Sequence, residues 1–289
     1  MHTLSLVLMA MAASTSSPTS SAWEKVFDAT SYGWVGVVKA TGRESWIAGG
    51  PWGVATANGA GATVESTNGH GVLGLFVESA NSVYAFGEGE LIWHLDGKKW
   101  TEEHTGALPP RNKRRPYAEH MLYLSYYDGT EPQGPLVALG LSLVLVKQPD
   151  GAWAPPPSTD KNRLLELGQL GPKISRPARC DTAGWHWFGR NRGALYCHDR
   201  RMFVVDMDRL TPKGKLPSNC YDGLNSIVEA KGELYASCHA QTLWKTEGET
   251  WRRIDPPKDK GLKEIPSISV ADGCLFVGGN KSVWRRCDQ

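Results

Sequence analysis

This 289-residue sequence contains six cysteines, whose thiols can form disulfide bonds with one another. All six lie within its last 110 residues. An even number of cysteines in an exported protein favours disulfide bonds. In a cytosolic protein the same residues would instead stay reduced and pack as small apolar side chains. Which cysteines could pair depends on the strands that carry them.

The remaining reactive residues form no recognisable catalytic set. His186, between Trp185 and Trp187, could join His198 as a metal-ligand pair, but a partly buried, hydrogen-bonded strand histidine is far commoner, so we predict no metal site. The sequence has no serine nucleophile elbow, no glycine-rich phosphate loop and no His-Glu-x-x-His motif. Nothing local singles out two of its 30 acidic residues for glycosidic cleavage. We therefore predict no catalytic residue and no cofactor.

A repeated five-residue pattern must position these side chains. Its third column is usually Ala and its fifth is usually Gly, and successive copies begin 37, 53, 49, 49 and 41 residues apart. The six copies are Trp46–Gly50, Val83–Gly87, Leu136–Gly140, Trp185–Gly189, Leu234–Cys238 and Leu275–Gly279. A period of about 40 to 50 residues is typical of propeller blades.

A tryptophan follows three of these copies at the same distance. Trp100, Trp153 and Trp251 each lie 13 residues after the fifth column, where the fourth copy has Met202. An acidic residue and a glycine precede each tryptophan, and glycine supplies the positive φ angle that a tight hairpin turn needs. Each unit is therefore predicted to contain a strand, a turn and a further strand.

The last unit requires a strand from elsewhere in the chain, because its tryptophan would fall beyond Gln289. The candidate is Trp23–Phe27, and a ring completed by this strand would leave no open sheet edge. We therefore predict an all-β fold, a six-bladed β-propeller closed by the N-terminal strand, with residues 23–289 forming one domain.

We also predict the innermost strand of each blade. Five of them are Trp34–Ala40, Val72–Glu78, Met121–Tyr127, Asn225–Ala230 and Ser267–Ala271. The fourth blade is the least clear, because two prolines interrupt the candidate between Leu170 and Cys180 and proline removes a ladder donor.

The blade pattern gives three cysteine pairs. Cys274 and Cys287 are predicted to face each other across a hairpin. Cys238 ends a second strand at the face where the inner strand of the same blade begins, and Cys220 lies just before that inner strand, so these two are the second pair. Cys180 and Cys197 remain. Strict strand positions would separate them by about 9 to 10 Å, whereas a disulfide needs Cα atoms within about 7 Å, so Cys180 must lie in the turn.

The N-terminus predicts export. Residues 3–13 are apolar and Ser20-Ser21-Ala22 supplies small residues for cleavage, so residues 1–22 are predicted to be a signal peptide, with a disordered cytosolic tail as the alternative. No other segment could cross a membrane, which predicts a periplasmic or secreted protein rather than an integral membrane protein. A net charge of +2 gives no argument for nucleic acid.

One connector is strongly basic. Gly106 to Pro116 contains Arg111, Lys113, Arg114 and Arg115. A solvated loop is the ordinary interpretation, and contact with a phosphate, glycan or membrane surface is the alternative.

Propellers usually bind ligands at the mouth of the central channel, on the face where the inner strands begin. The connections that should reach this face carry Trp52, Glu88, Arg190, Arg192, His239 and Lys281. An aromatic ring with mixed charges suits a sugar or a peptide, although each residue could equally be an ordinary loop residue.

The endings Asp-Gly-Lys-Lys-Trp100, Asp-Gly-Ala-Trp153 and Glu-Gly-Glu-Thr-Trp251 resemble degenerate Asp-box repeats, as in sialidase-type and photosystem-assembly-factor-type propellers. The resemblance covers the mature chain and implies its architecture more than its function. Sialidases of this type carry an Arg-Ile-Pro motif that is missing here, and Tyr126 and Tyr127 have no motif that would mark a nucleophile. This departure argues against sialidase activity.

Three functions follow from these patterns. The first is an exported, monomeric, non-enzymatic scaffold for a protein or peptide partner. The second is a carbohydrate-binding, lectin-like propeller, which the 12 tryptophans favour although several belong to the repeat. The third is a glycosidase or lyase assembled from distant loops, which carboxylates clustered beside Arg190 and Arg192 would favour.

Overall fold

The computed structural model describes residues 22–289 except 60, 98, 105–120, 127–135, 141–143, 157–181, 190–191, 207–208, 222, 240, 261 and 288–289. Within these residues the strands form six four-stranded antiparallel sheets. No helix in the same part of the chain is long and apolar enough to span a membrane.

Each sheet takes its strands in chain order, except that the last sheet recruits the first strand. Sheet 1 contains β2 (Val37–Ala40), β3 (Ser45–Gly50), β4 (Gly53–Asn58) and β5 (Ala62–Glu65); sheet 2 contains β6 (Val72–Ser79), β7 (Ser82–Gly87), β8 (Ile92–Leu95) and β9 (Trp100–His104); sheet 3 contains β10 (Met121–Tyr126), β11 (Leu136–Gly140), β12 (Val144–Lys147) and β13 (Trp153–Ala154). Sheet 4 contains β14 (Thr182–Gly189), β15 (Arg192–Cys197), β16 (Arg201–Asp206) and β17 (Arg209–Lys215); sheet 5 contains β18 (Leu224–Ala230), β19 (Glu233–Cys238), β20 (Thr242–Glu247) and β21 (Thr250–Ile254); sheet 6 contains β22 (Ser267–Ala271), β23 (Cys274–Gly279), β24 (Ser282–Cys287) and β1 (Glu24–Asp28). A 3-10 turn covers Glu88–Glu90, and the short helix α1 covers Ser218–Tyr221.

The repeated pattern marks the second strand of five sheets. It falls in β3, β7, β11, β19 and β23, as predicted. Its alanine column, Ala48, Ala85, Ala138 and Ala236, has no solvent exposure. A second strand is paired on both edges, and these alanines are packed against neighbouring side chains, so only a small side chain fits in this column.

Sheet 4 corrects one assignment. Trp185–Gly189, predicted to be a second strand, lies in the first strand β14, and β15 is the second. Cys197 at the end of β15 thus takes the place that Cys238 has in sheet 5. The prediction was wrong because period-two alternation identifies a strand but not its position within a sheet. The region between Leu170 and Cys180 lies outside the described residues.

The predicted hairpins are confirmed. Gly97, Gly151 and Gly248 have φ angles of 85°, 88° and 66°. Trp100 and Trp153 lie on fourth strands, and their indole Nε1 groups donate to the preceding sheets, to Thr56 Oγ1 at 3.0 Å and Glu103 Oε2 at 2.8 Å. These tryptophans therefore hold neighbouring sheets together.

The first strands lie side by side. They contact one another in the order β14, β18, β22, β2, β6, β10. The predicted bounds agree with the observed ones within about two residues, except that β2 begins at Val37 rather than at Trp34. Strand β1 pairs with β24, as predicted for the N-terminal strand.

Two predicted disulfides, Cys220–Cys238 and Cys274–Cys287, are present. Cys180 lies outside the described residues, so its pairing with Cys197 stays a prediction. Thr182, two residues after Cys180, is paired with Cys197 in the ladder between β14 and β15. The corrected strand order therefore removes the intervening strand that the sequence had placed between these cysteines.

Candidate functional site

A loop between β1 and β2 carries the most exposed aromatic side chains in the described residues. The Ala29 N–H donates to Lys281 O at 2.6 Å, and the Val35 N–H donates to Asn280 O at 2.7 Å. Both acceptors belong to the turn between β23 and β24. The loop is therefore fixed to sheet 6 at the end of the strands that this turn occupies.

Three aromatic side chains form what we call the aromatic rim, defined as Tyr32, Trp34 and Trp52. Tyr32 is 49% exposed and Trp34 is 45% exposed, whereas Trp52 is partly buried. The Tyr32 and Trp52 ring centroids lie 5.8 Å apart with the planes tilted by 42°. The Trp52 Nε1–H donates to the Trp34 carbonyl oxygen at 2.9 Å, which holds the rim together.

Glycines make this packing possible. A Cβ on Gly36 would lie 2.7 Å from the Trp34 ring, and one on Gly50 would lie 2.1 Å from the Trp34 carbonyl oxygen. Gly33 has a φ of 130°, a conformation that other residues rarely adopt. Sequence reasoning missed Tyr32 and Trp34 because it placed Trp34 in a strand. The alternation of aromatic residues with glycines in Tyr32-Gly33-Trp34 was the available signal.

Glu88 lies at the same ends of the strands as the aromatic rim, but its oxygen atoms are already hydrogen-bonded to other residues of this protein. Its Oε2 accepts a hydrogen bond from the Gly71 N–H at 2.9 Å, and its carbonyl oxygen is 3.1 Å from Nδ1 of the buried His70. These contacts fix the position of the backbone just before β6. Leu73, at the β-bulge that follows, is 39% exposed.

The other two predicted residues on this face, Lys281 and His239, are exposed. Lys281 flanks the aromatic rim through its backbone bond to Ala29. The His239 ring lies over Gly223, where an added Cβ would be 2.1 Å from the imidazole, and the His239 N–H donates to Gly223 O at 2.9 Å. His239 follows Cys238 and belongs to sheet 5, apart from the rim.

Arg192 lies at the opposite ends of the strands, and Arg190 lies outside the described residues. Arg192 binds Glu229 through two hydrogen bonds of 2.6 Å and Asp206 through one of 2.8 Å. The hydrogen bonds with Glu229 raise the pKa of Arg192. Carboxylates do cluster beside this arginine, but they occupy its donors and tie sheet 4 to sheet 5 rather than forming an open site.

A partly buried polar network between sheets 2 and 3 was not anticipated. His94 lies between Ser82 Oγ, 2.8 Å from its Nε2, and Glu103 Oε1, 3.0 Å from its Nδ1. Lys147 Nζ donates to Glu103 Oε1 at 2.8 Å and to the Tyr84 hydroxyl at 2.9 Å. No local motif links these residues, because consecutive strands and a neighbouring sheet supply them.

The Ser82–His94–Glu103 distances are those of a nucleophile relay. Ser82 Oγ, however, donates its single proton to Glu78 Oε2 at 2.6 Å, so that proton is not directed at His94. A second carboxylate beside the hydroxyl would oppose the negative charge that develops on a substrate carbonyl oxygen. The network is better explained as a polar joint between sheets.

The described residues contain no group of three or more His, Cys, Asp or Glu side chains arranged to hold a metal ion. His186 stacks on Tyr196 with centroids 6.1 Å apart, and burial lowers its pKa. His198 Nδ1 instead lies 2.6 Å from the Tyr221 hydroxyl oxygen. The two histidines thus have different neighbours.

The sequence matches no family model and no curated protein. Solved β-propellers do match its fold. U3-55K shares 10% identity over 94% of this chain and 100% of its own, with a TM-score of 0.59. The WD40 propeller domain of Doa1 shares 11%, and YCF48 bound to a D1 peptide shares 13%; each covers 92% of this chain and 97% of its own, with a TM-score of 0.51. The fold is that of a β-propeller.

Proposed function

We propose that this protein is an exported, six-bladed β-propeller that binds a protein or peptide partner through the aromatic rim. Six four-stranded sheets within the described residues, and the recruitment of β1 by sheet 6, support six blades closed by the N-terminal strand. The row of first strands from β14 to β10 supplies five of the contacts between blades. A contact between β10 and β14 would complete the ring.

The observation that carries the binding proposal is the exposure of Tyr32 and Trp34. Each such side chain buries about 150 to 250 Å² when it is fully covered, and tyrosine and tryptophan are enriched among residues that dominate binding energy. Here their backbone is fixed by hydrogen bonds, so little conformational freedom is lost on binding. A rigid, solvent-facing aromatic pair is a surface that a partner can cover.

Two further observations agree with this function. YCF48, one of the proteins that share the fold, has been solved with a D1 peptide bound. Two disulfides agree with an oxidising, exported location for this protein, which the predicted signal peptide of residues 1–22 would provide.

Carbohydrate binding is the second candidate, because the exposed Tyr32 and Trp34 rings could also stack on a sugar. Trp100 and Trp153 do not support it, since both are buried between sheets. The glycan hypothesis therefore depends on the same rim as the peptide hypothesis.

A parallel screen of the full chain on peptide and glycan arrays separates the two functions. Saturable peptide binding that Trp34→Ala abolishes supports the proposal. Glycan binding with the same sensitivity supports the lectin alternative. The exposed Arg209→Ala on sheet 4 is the matched control, and thermal unfolding of each variant verifies that the fold is intact. Binding that is indifferent to Trp34→Ala contradicts both.

A further inference from the structure

Two rows of side chains face each other across the gap between sheets 5 and 6. In sheet 5, Tyr235 pairs with Lys245, which pairs with Arg252. In sheet 6, Val270 pairs with Leu275, which pairs with Arg286. Directly paired residues project from the same face of a sheet. The two rows line a groove of about 310 Å³.

The groove is apolar at one side and cationic at the other. Val270 belongs to the first strand β22, and Tyr235 and Leu275 belong to second strands. Lys245 and Arg286 belong to third strands, and Arg252 belongs to the fourth strand β21. The turn at Gly273 lies beside this groove, at the opposite ends of the strands from the aromatic rim. The groove is therefore separate from the site proposed above.

The charges in the groove are incompletely neutralised. Arg252 pairs with Glu247 at 3.1 Å, and the Lys245 ammonium lies 5.3 Å from the centroid of the Tyr235 ring. Neither Lys245 nor Arg286 makes an ion pair with a carboxylate of the described residues. Lys245 does act at longer range on Glu233: burial raises the pKa of that carboxyl, but hydrogen bonds and the charges of Lys213 and Lys245 lower it overall. Asp255, the remaining acid in the lining, makes an ion pair with neither.

Comparable guanidinium groups elsewhere are paired. Arg285, next to Arg286 but on the other face of β24, binds Glu24 at 2.6 Å and also binds Glu44. Arg192, in the gap between sheets 4 and 5, binds Glu229 and Asp206. Arg286 differs from both because it faces a groove with an apolar wall.

We propose that this groove binds a small organic acid, with its apolar body between Tyr235 and Leu275 and its carboxylate against Arg286 and Lys245. The guanidinium fork matches the two oxygens of a carboxylate, and the ammonium adds a second positive charge. The groove volume is at the lower end of the range for ligand sites, about 300 to 1,000 Å³, which fits a small ligand rather than a folded partner.

Calorimetric titration of the full chain with 4-phenylbutyrate tests this inference, with 4-phenylbutanol as the neutral probe of the same shape. We expect saturable binding of the acid that weakens as salt is raised, and little binding of the alcohol. Removing one charged hydrogen-bond partner should weaken binding about tenfold or more, in Arg286→Gln and in Lys245→Gln. Arg209→Gln, on sheet 4, should bind like the unmodified protein.

Three results would overturn the inference: no saturable binding of the acid, equal binding of the alcohol, or unchanged affinity in both groove variants. Lys245→Gln keeps the test decisive if Arg286→Gln fails to fold. Because Trp34 lies at the other ends of the strands, Trp34→Ala should leave this binding unchanged. Failure here is therefore distinguishable from failure at the rim.

Discussion

The hydroxyl oxygen of Ser267 accepts a hydrogen bond from the Val38 backbone N–H at 3.0 Å, although the two residues are 229 positions apart. Ser269 accepts from the Ala40 N–H at 2.9 Å in the same way. The free edge of β2 thus receives side-chain partners from β22. These bonds connect the first complete sheet of the chain to the last, where the N-terminal strand also pairs.

The Val38–Ser267 bond predicts the effect of Ser267→Ala. The variant leaves the buried Val38 N–H without its partner, so we expect the free energy of unfolding to fall by about 1 to 3 kcal/mol. Denaturant unfolding measures the change. The exposed Ser66→Ala should stay within about 0.5 kcal/mol of the unmodified protein. Equal stability of both variants would show that the bond does not stabilise this joint.

Alkaline pH should weaken the joint between sheets 2 and 3. Burial lowers the pKa of Lys147, but its hydrogen bonds to Glu103 and Tyr84 outweigh this effect, so the pKa of Lys147 is raised. The pKa of Tyr84 is also raised, because burial disfavours the ionised phenolate. The Lys147 contribution to stability is complete below the ordinary lysine pKa of 10.5 and is lost as pH rises through the folded pKa. Tyr84 acts in the same direction, because above the ordinary tyrosine pKa of 10.0 this side chain ionises first in the unfolded chain.

We therefore expect the free energy of unfolding to fall as pH rises above about 10. Denaturant unfolding from pH 8 to 11 measures this slope, and Lys147→Met should make it shallower, even though this variant is less stable at pH 8. An identical slope in the variant would contradict the assignment of the alkaline loss to Lys147.

Acid should weaken the hairpin between β20 and β21. Burial raises the pKa of Glu233, but hydrogen bonds from the Thr246 hydroxyl and the Gly248 N–H outweigh it, so the pKa is lowered. The contribution of Glu233 to stability is present above the ordinary glutamate pKa of 4.5 and is lost as pH falls through the folded pKa. Unfolding midpoints between pH 6 and 3 should therefore decline less steeply in Glu233→Gln than in the unmodified protein.

Cys197 should be linked to Cys180. The ladder pairs Cys197 with Thr182, and Cys180 is only two residues from Thr182 along the chain, so Cys180 is the cysteine nearest in sequence to the strand partner of Cys197. Mass spectrometry of a non-reduced digest should show one linked peptide containing both residues, besides the two disulfides already described. A free thiol at Cys180 in the folded, oxidised protein would contradict this pairing.

The sequence predicted the repeated elements well, because their signals are local. Ala85 and Ala138 occupy buried second strands, and Gly97 and Gly151 have positive φ angles at the hairpins. Residue type and spacing along the chain are therefore enough to identify these positions. The fourth sheet was misassigned because Trp185–Gly189 has the same alternation in a first strand as it would in a second.

The candidate sites were harder to predict, because they depend on contacts between distant segments. Trp52 was anticipated, but Trp34 was not, since its exposure depends on hydrogen bonds between its loop and the turn at Asn280. Arg192 looked available in sequence, whereas Glu229, 37 residues later, occupies its donors. The facing rows that end at Arg252 and Arg286 became visible only when the sheets were placed together.

The most direct test of the proposed function is surface plasmon resonance with the best peptide from the array screen. The full chain, Tyr32→Ala/Trp34→Ala and the control Arg209→Ala would be compared at equal surface density. Loss of two hot-spot aromatic side chains costs about 2 kcal/mol or more each, so the rim variant should bind at least about 500-fold more weakly. Arg209→Ala should bind normally. Equal affinity of the rim variant, with its thermal unfolding unchanged, would contradict the assignment of binding to the aromatic rim.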